Sequence, residues 1–115
     1  MSKLSTLAAI LLVGSTALVI STPSLALDER AAKAFFKEND CTKCHAPAKT
    51  KKGPSLKKIA QENKDKANYE EEMIKHMTSS PMVTLEDGTE DEHKMVDTKD
   101  PAVLKNLVQY IMSHQ

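Results

Sequence analysis

The sequence predicts an all-α domain of three main helices and a shorter one, with a candidate short hairpin over 83–96, behind an export leader. Three observations predict it. Apolar residues recur at helical spacing in three separate stretches, each with a start or stop signal at its border. The first 26 residues have the tripartite pattern of a secretory signal. Aromatic content is 3%, with two Phe, two Tyr and no Trp among 115 residues, so the core is short of large apolar side chains and gains from a group to pack around.

The leader comes first. Lys3 is its positive start, Leu7 to Ile20 its apolar run, and Ser24, Leu25 and Ala26 its cleavage region. The apolar run is shorter than the ~20 residues a membrane-spanning helix needs, which favours cleavage over the alternative of a retained anchor. Taking residues 1–26 from 115 leaves 89, the expected mature domain 27–115. Sixteen basic and sixteen acidic side chains cancel, which excludes a phosphate-neutralising, nucleic-acid-binding surface.

Asp28 is the expected N-cap of the first helix, with Glu29 at its positive end and Ala32, Phe35, Phe36 and Asn39 at helical spacing. A short helix is expected over Ser55 to Glu62. Tyr69 to Met77 is amphipathic, with Met73, Ile74 and Met77 on one side, and Ser79, Ser80 and Pro81 stop it. Val83 to Leu85 and Lys94 to Val96 flank a polar turn at Asp87 and Gly88 and form the candidate hairpin. Asp100 caps the last helix, Pro101 opens it, and Val103, Leu104, Leu107, Val108, Ile111 and Met112 give it a broad apolar face.

Both cysteines stand in Cys41-Thr42-Lys43-Cys44-His45. A disulfide there closes too small a loop to restrain the unfolded chain much. A dithiol redox motif needs a preceding strand, and a zinc site needs a second ligand pair that His76 and His93 are too scattered to supply. Cys-x-x-Cys-His is the c-type haem attachment signature. Two thiols one turn apart each add across a haem vinyl group, and the adjacent His45 binds iron as the proximal axial ligand. One covalently attached haem c also fills the core that this composition leaves thin.

With those residues in hand, the chain resembles the small class I c-type cytochromes of bacteria over essentially the whole mature domain. Phe36 lies five residues before Cys41, and Tyr110 with Ile111 lies near the end of the last helix, where the family places its helix-crossing aromatics. The resemblance implies a Phe36–Tyr110 contact. Gly53-Pro54-Ser55-Leu56 follows His45 at the family's spacing and implies that the Pro54 carbonyl accepts a hydrogen bond from the proximal His.

For the sixth ligand the family usually employs a Met before the last helix, in a Pro-Met or Met-Pro setting. Met95 has the position without the proline and is the first choice; His93, two residues away, is the alternative, and an extended segment would point both to one face. Met82, His76 and an open site rank below them. Met ligation implies a higher potential than a second imidazole. Met73, Met77 and Met112 read as core positions, His76 as a half-buried packing residue, and His114 as a complement to a helix C-terminus.

Six lysines and no acid lie between Cys41 and Ala60, and five acids and no base between Glu86 and Glu92. The lysines form a collar that could steer the protein to an acidic face on a redox partner; solubility is the plainer explanation of both runs. No nucleophile with its base and no paired carboxylates stand out, so the expectation is a monomeric periplasmic electron carrier and not an enzyme, without membrane contact once the leader is removed. Three other readings stay open: a gas-binding or sensing haem protein with a labile sixth ligand, an electron-transfer subunit of a periplasmic dehydrogenase, and a zinc or dithiol protein.

Overall fold

The computed structural model describes residues 14–15, 17–20 and 26–115. The expected leader falls largely outside them, and among the described residues no helix is long and apolar enough to cross a membrane. Four α-helices follow in chain order: α1 (Glu29–Glu38), α2 (Leu56–Asn63), α3 (Tyr69–Thr78) and α4 (Pro101–Met112). A hairpin of β1 (Met82–Thr84) and β2 (Glu90–Glu92) lies between α3 and α4, and a single 3-10 turn, Cys41–Lys43, follows α1.

Each helix starts where its cap dictates. The Asp28 carboxylate accepts from Ala31 N, the Ser55 hydroxyl from Lys58 N, and the Asp100 carboxylate from Ala102 N. Each bond satisfies an amide that the first turn leaves without a partner. Pro101 sits at the first helical position of α4, where its missing N–H costs nothing. At the far end of that helix His114 Nδ1 donates to the Tyr110 carbonyl, as expected of a residue complementing a helix C-terminus.

The hairpin corrects one expectation. β1 overlaps the predicted first strand, but its antiparallel partner is Glu90–Glu92, not Lys94–Val96, with Val83 opposite Asp91. Turn chemistry sets that register: Gly88 N donates to Leu85 O, Gly88 takes a φ of 84°, and Leu85 N donates to Thr89 O, closing a three-residue loop. The Asp87 carboxylate receives both the amide and the hydroxyl of Thr89 and fixes the turn. Residues 93–97 are therefore released from the ladder and run as irregular chain.

The core is centred on α4, which packs against α1, α2 and α3. Leu107 and Val108 are almost fully enclosed, and Leu56, Ala32, Met73 and Met77 meet them from the other three helices. Phe36 of α1 and Tyr110 of α4 cross edge-to-face, ring centres 5.1 Å apart with 76° between planes. That geometry suits the aromatic quadrupole, and both rings are 5% exposed, so their burial contributes in full. Phe36→Ala is expected to cost about 3–5 kcal/mol of unfolding free energy, because little else in so small a core can fill the gap. Chemical denaturation of the mature protein measures it, and Phe36→Leu is expected to recover part of the loss.

Candidate functional site

The attachment motif is shaped by the turn that follows α1. Asp40 takes a φ of 60°, a left-handed conformation that Asp tolerates better than most residues, and turns the chain out of the helix. Cys44 N and His45 N then both donate to the Cys41 carbonyl, so the two cysteines and His45 are wound into one compact turn. Both cysteines are half-buried and no disulfide joins them, which leaves both sulfurs available for attachment.

His45 is held by its neighbours. Its Nδ1 lies 2.7 Å from the Pro54 carbonyl oxygen. A carbonyl can only accept, so Nδ1 carries the proton and Nε2 keeps its lone pair free for a metal. The loop between them is fastened at both ends: Gly53 N donates to Cys44 O at 3.0 Å and Leu56 N to Ala46 O at 2.9 Å. Gly53 is required by close approach, since a Cβ there would stand 3.0 Å from His45 Cε1 and 3.4 Å from Nδ1. A cleft of about 450 Å³ lies beside His45, bordered by Phe36, Leu56 and Tyr110.

The distal side is formed by the irregular segment after β2. His93 N donates to Pro81 O at 2.8 Å and Val96 N to Met77 O at 3.0 Å, and the Val96 side chain is buried. Between these two anchors the His93 ring faces His45, ring centres 6.1 Å apart and planes inclined by 39°. His93 Nδ1 is buried and has no hydrogen-bond partner. Burial pushes the His93 imidazole down to about 4, with His76 and His45 adding to the effect, so it is neutral at pH 7.

These residues fit a haem iron. A metal–imidazole bond is about 2.0–2.1 Å long, so two imidazoles on opposite faces of one metal place their ring centres ~6 Å apart. The observed separation is of that size, and an orphaned buried ring nitrogen is what a missing metal bond leaves behind.

The two methionine candidates are exposed. Met95 is 54% exposed and Met82 59% exposed. β2 ends at Glu92, so His93 and Met95 lie outside the ladder, and His93 is the less exposed of the two. His76, expected as a half-buried packing residue, is exposed, and its ring meets that of His93 with centres 4.4 Å apart and 65° between planes. Polar contacts to which sequence reasoning gave no role join the site. Asn39 Oδ1 accepts from Asp97 N at 2.9 Å, and one Asp40 carboxylate oxygen meets Lys94 Nζ at 2.9 Å while the other meets Lys43 Nζ at 3.0 Å. The consecutive Asn39 and Asp40 before Cys41 were the available signal, since both residue types favour helix ends and turns.

Comparison with known proteins shows the family and the fold. The family model described as Cytochrome c matches residues 29–115. The crystal structure of the class 1 cytochrome MtoD from Sideroxydans lithotrophicus ES-1 superposes with a TM-score of 0.73 at 44% sequence identity, covering 77% of this chain and 98% of that one. No protein of curated function matches the sequence.

Gly53→Ala is expected to push the His45 ring off its Pro54 bond and to lower stability by about 1–3 kcal/mol, the usual cost of overpacking a fixed contact. Unfolding by denaturant, with the imidazole proton resonances followed by NMR, measures both effects together.

Proposed function

Because the chain belongs to the cytochrome c family, we propose that it is an exported monohaem electron carrier whose iron is bound between His45 and His93. The family assignment establishes covalently bound haem c and haem-based electron transfer between redox partners. The haem supplies reversible one-electron chemistry at its iron. Everything else is the work of this chain. Cys41 and Cys44 fix the macrocycle through thioethers, so that it cannot be lost outside the cytoplasm. His45 gives Nε2 to iron, and the Pro54 carbonyl holds the ring in orientation and strengthens its donation.

One observation carries the choice of sixth ligand: the His93 ring facing His45 at 6.1 Å with a buried, unpartnered nitrogen. It supports His93, the alternative of the sequence analysis, over Met95, the first choice there. Two imidazoles hold the potential below that of a His–Met pair, because a thioether favours ferrous iron more strongly. An iron held by both imidazoles would leave no vacant position for a substrate or a gas, which supports the carrier reading over the gas-binding alternative.

The oxidised protein is expected to lack the sulfur-to-iron charge-transfer band at ~700 nm while showing a six-coordinate low-spin spectrum. Met95→Leu leaves that spectrum unchanged, and His93→Ala opens the iron to carbon monoxide in the ferrous state. A ~700 nm band in the wild type that Met95→Leu abolishes would return the assignment to Met95.

The lysine collar gives the carrier a direction of approach. Lys43, Lys49, Lys51, Lys52, Lys57 and Lys58 are all exposed around the attachment loop and α2. Lys49, Lys52 and Lys57 make no ion pair among the described residues. Exposed like charges on one side raise the encounter rate with an acidic partner face and are screened by salt. Electron transfer to an acidic partner is expected to slow as ionic strength rises, and Lys52→Glu with Lys57→Glu to slow it further at low salt. A rate indifferent to salt would remove the docking face.

A further inference from the structure

The segment that carries the sixth ligand is fastened to the attachment motif by polar contacts that cross the edge of the site. Asp40 immediately precedes Cys41, and Lys43 lies between the two cysteines. The Asp40 carboxylate bridges them to the distal side, one oxygen on Lys43 at 3.0 Å and the other on Lys94, next to His93, at 2.9 Å. Beside it Asn39 is held by its own Nδ2, which donates to Phe35 O at 3.1 Å, and offers Oδ1 to the Asp97 amide. The two lysine contacts hold the Asp40 carboxyl well below its usual range, led by the hydrogen bond from Lys94. Residues 93–97 have no helix or strand of their own, and only the amides of His93 and Val96 tie their backbone to the α3 side.

We propose that Asn39 and Asp40 are positioning residues: a clip that closes the distal segment over the haem and sets how readily the sixth ligand leaves iron. The inference rests on residues 93–95 supplying that ligand, and it holds for either His93 or Met95, because Lys94 stands between them. A clip made partly of an exposed ion pair weakens as salt screens it, whereas a purely structural contact does not.

Imidazole binding to the oxidised holoprotein tests this, followed by the change in the Soret band. When an internal ligand must first leave, the rate levels off at high imidazole, and the plateau is the opening rate of the distal segment. Asp40→Asn suits the left-handed backbone at this position, and Lys94→Gln changes an exposed residue, so both are expected to fold. Each is expected to raise the plateau about two- to five-fold at low salt, the range an exposed pair spans, and the double variant to add nothing more. Asn39→Ala is expected to raise it about two- to ten-fold independently. In the wild type the plateau rises with sodium chloride, while in Asp40→Asn it stays flat. Unchanged plateaus in Asp40→Asn and Lys94→Gln, or a wild-type plateau indifferent to salt, overturn the clip. A rate that climbs linearly with imidazole and never levels off, with a five-coordinate spectrum in the resting protein, overturns instead the underlying reading that this segment ligates iron.

Discussion

The hydrogen bond from His45 Nδ1 to the Pro54 carbonyl is the contact around which the site is built. It decides the tautomer, and so decides that Nε2 points away from the loop with its lone pair free. The carbonyl is itself immobile: Pro54 is followed at once by Ser55, which caps α2, and α2 packs on α4. Orientation of the imidazole is thus passed back to the main core through a few covalent bonds. Gly53 completes the arrangement by having no side chain where the ring must pass.

The opposite wall has a different construction. Its backbone is anchored at His93 and Val96, and its remaining ties are side-chain contacts near the surface. Backbone hydrogen bonds beside the buried Gly53, Ser55 and Leu56 hold the proximal side, whereas the distal side adds exposed side-chain contacts, which solvent and salt weaken. A domain with so few large apolar residues cannot enclose both walls equally. Its core is committed to the α1–α4 crossing, where Phe36, Tyr110, Leu107 and Val108 sit, and to the two methionines that α3 contributes.

Much of this was legible in the sequence because it rests on local rules. Asp28, Ser55 and Asp100 are capping residues whose effect needs no tertiary context, and each opens a helix in the structure. The Cys41–His45 spacing is a chemical requirement of attachment to one macrocycle, so the cofactor could be read from five residues. The Phe36–Tyr110 contact followed from resemblance, not from periodicity, since the two residues lie in helices at opposite ends of the domain. What was not legible depends on register and on irregular chain. Pairing Lys94 to Val96 with β1 follows from alternation, but the Asp87–Gly88 turn places the partner strand four residues earlier, at Glu90 to Glu92. That shift removes the alternation argument for His93 and Met95, and one residue ends half-buried while the other is mostly exposed. The stacking of His76 on His93 joins α3 to a segment without periodicity, and no pattern in one sequence announces it.

An electron carrier works fastest when its ligands need not move between oxidation states, so both axial groups must be held before the electron arrives. The two walls achieve this by unequal means, and the inequality has a consequence for the identity of the distal ligand. A thioether on a flexible, unbranched side chain relies on its surroundings for orientation, whereas an imidazole is planar and is fixed by one or two contacts. His93 has such contacts, a backbone bond to Pro81 and the edge-to-face packing of His76, whereas more than half of Met95 faces solvent. On a segment that cannot supply a packed apolar pocket, a rigid aromatic ligand is the one that can be preorganised. The proposed imidazole ligand would suit so weakly buried a distal wall, and both would follow from how little apolar material this domain has to distribute.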